Sequence, residues 1–300
     1  MTTMQFRFMA IGTHWVVDVY RVPKELSEKS VFAAINARIE AYDHTYSRFR
    51  SDSMVHKMAR AAGTYTLPAD SEKLFDVYKQ LYDCTNGKVT PLVGQIMVDA
   101  GYDHNYSLKP QQLTSPQPWP EVLTYKKNQV TITQPVLLDF GAGGKGQLVD
   151  LIAGVLEELG STAYCIDAGG DILHTFNEGK PLRIGLEDPR HTNKVIGVAS
   201  LKNGSLCATA GNRRAWRDYH HIIDPMLLAS PRHILASWVV ADETIWSDAI
   251  ATSLFLADAR ELKKCHDFEY AILYADYSLE KSLNFPAEFF IPEFPDAKTN

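Results

Sequence analysis

What most restricts the fold of this 300-residue chain is where its two hydrophobic periods fall. Apolar residues recur at helical spacing early and gather in short strand-like runs late. Val31, Ile35, Ile39 and Tyr42 predict an amphipathic helix from Glu25 to about Tyr46. Leu74, Val77, Tyr78 and Leu81 predict a second over Ser71–Cys84, ended at Asn86-Gly87. Before them, Thr13–Val22 is rich in β-branched and aromatic residues and reads as a strand. After Gly160 come TAYCID, PLRIGLE, KVIGVASL, GSLCATA, HHIID and HILASWVVAD, several separated by short turn-rich links that favour antiparallel pairing. A helix over about Ile245–Leu256 and a strand EYAILYA follow. Helices early and strands late predict an α+β fold, with a largely antiparallel sheet and packed helices, over regular βαβ alternation.

Length alone permits one or two domains. The 45% hydrophobic and 22% charged residues exclude a wholly disordered or collagen-like chain. Thirty basic against 36 acidic residues give a net charge of −6, which argues against a nucleic-acid partner held by the overall field. Cys84, Cys165, Cys207 and Cys265 form no C-x-x-C pair, and scattered thiols suit a reducing compartment. No stretch reaches the ~20 apolar residues of a membrane helix. The start lacks a basic n-region and a long apolar h-region, so a soluble, cytoplasmic protein is expected. Residues 103–128, with clustered Pro, Gln and Ser, read as a surface excursion, and 284–300 as an extended tail.

The run VLLDF, read as a short strand, leads into Asp139-Phe-Gly-Ala-Gly-Gly-Lys-Gly146. Beyond it Leu148, Leu151, Ile152, Val155, Leu156 and Leu159 trace a helical stripe that Gly160 stops. Gly141, Gly143 and Gly146 fit G-x-G-x-x-G between strand and helix. Such glycines let backbone amides approach an anion, the helix N-terminus adds positive potential, and Lys145 adds a charge. An NAD(P)-binding oxidoreductase is one reading, but that fold needs several parallel βα units and only one is visible. A tight turn packing helix on sheet is the plainer alternative. A Walker-type loop fails, because Gly146 stands where Ser or Thr is required. A phosphate-bearing ligand remains the preferred reading.

Four further patterns carry chemistry. Gly169 and Gly170, in Ile166–Ile172, permit positive φ and close approach of a ligand, or a hairpin turn with Asx bonds. Asp248 and Thr252 lie one helical turn apart and offer hard oxygen donors that suit Mg2+; each also has an ordinary helical role. His221, in His220-His-Ile-Ile-Asp-Pro225, offers a base or a phosphate donor, though a strand histidine more often serves structure. Thr209, in Ala208–Arg213, adds a hydroxyl, and Phe49 a surface for stacking on a flat ring or for closing the core.

The order of these motifs is more specific than any one of them, and over nearly the whole length it resembles the ApbE-like FAD:protein FMN transferase family. Ile11-Gly12-Thr13-His14-Trp15 is similar to the family's M-G-T-x-W, and Tyr46–Ser53 to F-S-x-Y/F-x-x-x-S. Asn86–Gly94 resembles D-G-A-x-D…G-P-L-V, and Leu138–Gly146 resembles L-D-L-G-G-I-A-K-G. A-G-G-D, T-S-G, H-I-I-D-P and D-A-x-A-T then follow as Ala168–Asp171, Thr209–Gly211, His221–Pro225 and Asp248–Thr252. The resemblance implies a T-fold-like sheet, Mg2+, and transfer of FMN from FAD to a Ser or Thr hydroxyl of a partner flavoprotein, releasing AMP. It also implies Asp248, Thr252 and the Gly144 carbonyl as metal ligands, with His221 and Asp248 catalytic. Gly12, Phe49, Gly87, Lys88, Gly144, Lys145, Gly169, Gly170, Thr209 and His221 would bind FAD. Hydrolysis of FAD to FMN and AMP, or FAD binding without turnover, are the alternatives. Ile11, Thr90, Gly143-Gly144 and Ala210 depart from the family's usual Met, Asp, Ile-Ala and Ser. Motifs of one cleft running from Gly12 to Thr252 imply a single catalytic domain over 1–300.

Overall fold

A computed structural model describes residues 2–176 and 180–290. The chain opens with a hairpin, β1 (Thr2–Ala10) and β2 (Thr13–Val22), turned at Ile11-Gly12 with both residues at positive φ. Helices follow: α1 (Glu28–Tyr46), α2 (Met54–Met58) and, after β3 (Gly63–Thr66), α3 (Ser71–Cys84). Next come α4 (Gly94–Asp99), α5 (Trp119–Val122) and a hairpin of β4 (Leu123–Lys126) and β5 (Gln129–Ile132). Then α6 (Gly144–Glu158) leads to β6 (Tyr164–Asp167), β7 (Asp171–Thr175), β8 (Leu182–Asp188), β9 (His191–Leu201) and β10 (Asn203–Ala210). Two-residue strands β11 (Ala215–Trp216) and β12 (Tyr219–His220) precede β13 (Ile234–Ala241), α7 (Thr244–Ser253) and α8 (Ala259–Leu262). Last come β14 (Glu269–Tyr274), β15 (Leu279–Lys281) and β16 (Ala287–Phe289).

Eight strands form one antiparallel sheet in the order β1-β2-β6-β7-β10-β13-β14-β15, as the α+β expectation requires. Helices α6 and α7 pack on each other, with α7 also against β10 and β13. Their apolar faces, with Leu148, Val149 and Ile152 on one and Ile245, Ala249 and Ile250 on the other, bury into the main core. Two glycines permit this packing, and a third lets α6 approach α1. A Cβ on Gly143 would lie 3.0 Å from Ala249 Cβ, and one on Gly146 would lie 2.3 Å from Thr244 O. One on Gly144 would stand 3.2 Å from Tyr42 Oη. Across the same seam Asp150 accepts the N–H groups of Thr244 (3.0 Å) and Ile245 (2.9 Å), fixing the start of α7. Burial of that carboxylate raises its pKa to about 6.

Several sequence expectations change. VLLDF is not a strand; it runs as a buried link, with Val136 N–H on Met58 O and Asp139 N–H on Pro91 O. The excursion 103–128 ends early, because Trp119 is buried and residues 119–126 form α5 and β4. Cys84 and Cys265 are not free thiols; they are joined by a disulfide between the end of α3 and the segment after α8. The thiol argument for a reducing compartment falls with them, while Cys165 and Cys207 are buried and free. Of the tail 284–300, Phe285 is buried and Ala287–Phe289 pairs with β9; residues 291–300 lie outside the described residues. No helix among the described residues is long and apolar enough to cross a membrane.

Candidate functional site

A cleft of about 400 Å3 opens where the glycine loop and the start of α6 face β10 and the middle of α7. Of the residues selected from sequence, Phe49, Lys88, Lys145, Gly169, Gly170, Thr209, His221, Asp248 and Thr252 line it. Gly12 and Gly144 line instead a second cavity of about 390 Å3. The two cavities share Arg48, Phe49, Tyr102, Asp139, Gly141, Lys145 and Arg214. Gly87 lines neither; it turns the chain at φ 86° after α3, against Tyr82 and Met226, so that Lys88 reaches the cleft. There Lys88 Nζ donates to Leu256 O at 3.2 Å.

The glycine loop does not act as the anion cradle expected of G-x-G-x-x-G. Its amides are already engaged. Gly141 N–H donates to Asp139 Oδ1 (2.6 Å), and those of Ala142 and Gly143 to Tyr78 Oη (3.1 and 3.3 Å). Gly144 N–H bonds Phe140 O, and Gly146 N–H donates to Asp248 Oδ2 at 2.8 Å. The glycines thus bring α6 onto α7 and seat Asp248 at the helix start, which is the plainer of the two sequence readings. With the sheet antiparallel as well, the NAD(P)-binding reading falls.

Asp248 is buried, and that burial raises its pKa while the Lys145 charge lowers it. One turn on, Thr252 Oγ1 lies 3.4 Å from Thr209 Oγ1 of β10. No group of three or more His, Cys, Asp or Glu suited to a metal occurs among the described residues. The available donors are one carboxylate, hydroxyls and backbone carbonyls. Such hard, sparse oxygen donors fit Mg2+, which keeps waters and phosphate oxygens as its other ligands, and not Zn2+. A cation there would also compensate a buried carboxylate.

Gly169 and Gly170 satisfy both of their readings. Gly170 N–H bonds Asp167 Oδ1 (2.9 Å) in an Asx turn, and both glycines line the cleft. A Cβ on Gly169 would stand 2.1 Å from Thr13 Oγ1, so the turn closes directly on β2. The histidines divide. His220 is structural, with Nε2 2.7 Å from Pro231 O and Nδ1 accepting Ile222 N–H. His221 lines the cleft, and its buried Nδ1 has no hydrogen-bond partner.

Burial, then the charge of Arg214, lowers the His221 pKa to about 3. The folded chain therefore binds this proton more weakly than the unfolded chain, which titrates near 6.5. The stability it contributes is complete above about pH 6.5 and is lost as pH falls toward 3. Between pH 6.5 and 4.5 the unmodified protein should lose about 2–3 kcal/mol more than H221Q does. Urea unfolding at the two pH values measures this, and equal losses would show that the imidazole is not held neutral.

Sequence reasoning missed Arg48 and Asp139, an ion pair of a buried guanidinium with a partly buried carboxylate that borders both cavities. Arg48 also lies over the rings of Phe49 (4.1 Å) and Tyr102 (4.8 Å) and donates to Tyr102 O. Both residues stand inside motifs already noticed, but a pairing across 91 positions has no signature in a single sequence.

The ApbE family pattern matches residues 11–272. A curated FAD:protein FMN transferase of Rhodobacter capsulatus is 27% identical over 83% of this chain and 50% of its own length. This chain therefore spans about half of that relative. One of Haemophilus influenzae, with the same name, is 27% identical over 76% of this chain and 70% of its own. Among solved structures, the ApbE protein of Thermotoga maritima superposes with a TM-score of 0.83 at 21% identity, covering 95% of this chain and 98% of that one. The flavin transferase ApbE of Vibrio cholerae gives 0.81 at 19%, over 95% and 98%. With the pattern met over most of its length and the fold shared nearly end to end, this chain belongs to the ApbE family.

Proposed function

We propose that this protein transfers FMN from FAD to a Ser or Thr hydroxyl of a partner flavoprotein, releasing AMP, with Mg2+ as cofactor. The observation that carries the reading is the convergence on one cleft of Lys145, Thr209, His221, Asp248 and Thr252, which lie up to 107 positions apart in sequence. The names of the curated relatives agree with it. Because cleft residues run from Thr13 to Leu256, the chain acts as one catalytic unit.

Asp248, Thr252 and the Gly144 carbonyl would hold the ion, which when bound neutralises charge on the phosphoryl oxygens. Lys145 adds a fixed positive charge at the same place. Asp248, whose pKa burial raises, would accept the proton of the acceptor hydroxyl, while His221, held neutral by burial, lines the same cleft. Phe49, 38% exposed, borders both cavities and would contact the flavin ring. Lys88, Gly169, Gly170 and Thr209 line the remaining wall, and Gly12 borders the second cavity.

Purified protein with FAD, Mg2+ and an FMN-binding acceptor domain should yield a fluorescent acceptor that survives denaturation, together with one AMP per label. AMP release at a rate the acceptor does not raise would identify a hydrolase instead. Intact FAD retained with neither product would identify a binding protein.

A further inference from the structure

We infer that Asp171 is a positioning residue for the transfer, fixing the Lys145 ammonium at the junction of the two cavities. The inference rests on the proposed function and adds a residue whose part in it was unassigned. Asp171 opens β7 directly after the Gly169-Gly170 turn, and it is 1% exposed. Across the ladder from it is Cys207, whose thiol burial keeps protonated. Apart from the ion pair with Lys145 Nζ, neither carboxylate oxygen has a partner.

The pair is asymmetric. The Lys145 side chain is 25% exposed and has water as an alternative, whereas the carboxylate has none. A buried charge left uncompensated is strongly destabilising, and Lys145 is the compensating charge Asp171 has. In return the lysine loses its freedom to swing. Lys145 borders both cavities, so its tethered charge stands where the phosphates of a ligand crossing from one to the other would pass. A charge oriented before the ligand arrives need not be ordered during the reaction. Packing alone does not require this arrangement, since buried ion pairs are often replaced by apolar residues of similar size at no cost. An ion pair with one member open to the cleft is explained by what that member does there.

A double-mutant cycle on the full chain tests the inference, with FAD affinity read by fluorescence in chelator, without turnover. Asp171→Asn is expected to weaken FAD about tenfold and riboflavin, which lacks phosphates, less than twofold. Lys145→Met should do the same, and the double variant should bind FAD no more weakly than Lys145→Met alone. In turnover Asp171→Asn should lower kcat and leave KM for the acceptor unchanged. Melting curves guard against misfolding: Lys145→Met alone should melt at least about 5 °C lower, and adding Asp171→Asn should restore it. Unchanged or tighter FAD binding by Asp171→Asn, or effects that multiply in the double variant, would overturn the inference. Failure of transfer to any acceptor would overturn the proposed function and leave this cycle readable.

Discussion

Asp248→Asn is expected to lower FMN transfer by about a thousandfold or more while leaving the fold intact. Asparagine keeps an oxygen able to accept the Gly146 N–H now held at 2.8 Å, so the seam between α6 and α7 retains its link. What it loses is the one carboxylate among the proposed metal donors. Stabilising phosphoryl charge through a bound cation is worth several kcal/mol, and about 4 kcal/mol corresponds to that factor in rate. Asp248→Ala removes the hydrogen bond as well, so it should lose activity and also melt lower. Initial rates of acceptor labelling across a Mg2+ titration, beside melting curves, separate the two effects. Labelling by Asp248→Asn within tenfold of the unmodified rate would remove Asp248 from the metal site.

Gly146→Ala should be the most damaging small substitution on α6. Its Cβ would lie 2.3 Å from Thr244 O and 2.7 Å from Asp248 Cβ, both on α7. Backbone blocks the first contact, so no side-chain rotation relieves it and the helix itself must move. Overpacking ordinarily costs about 1–3 kcal/mol, and a clash with a helix backbone belongs at or above that limit. A fall of about 6 °C or more in melting temperature follows. Gly154→Ala on the same helix is the control. Nothing lies within 4 Å of its Cβ, and helix propensity predicts a gain of about 0.5–1 kcal/mol. Similar melting temperatures for the two variants would contradict the packing described for α6 and α7.

Elements with a strong local period were legible in the sequence. The helix expected over Ser71–Cys84 is α3 to the residue. The first helix begins at Glu28, three residues later than expected, because Ser27 caps it in a reciprocal pair with Ser30. β1 has a clear two-residue period, with Met4 and Phe6 buried and Gln5 and Arg7 exposed, but its apolar residues were weighed only as a targeting segment. VLLDF failed because an apolar run reports burial and not pairing, and its N–H groups bond loops and helix ends. Of the two purposes open to the glycine cluster, its amides serve the packing one. No local pattern states that Tyr78 and Asp248 will take its amides, since those partners lie about 64 and 102 residues away. Motif order carried the cleft membership of Phe49, Lys88, Thr209 and His221. It could not carry the pairs Arg48–Asp139 and Lys145–Asp171, whose members are far apart in sequence and meet only in the folded chain.

The spread of the cleft along the chain bears on how the protein is made. Its lining begins at Thr13 and ends beyond Thr252, at Leu256, with β10 paired between β7 and β13. At about 5–20 residues per second, a ribosome takes roughly 12–48 s to cover the 239 positions from Thr13 to Thr252. Through that interval no complete pocket exists, so a ligand of this cleft cannot serve as an early template for folding. If FAD is the ligand, as proposed above, it would bind only finished chains and shift the folding balance toward them by mass action. Flavin supply would then act on the lifetime of the mature protein and leave its rate of folding unchanged.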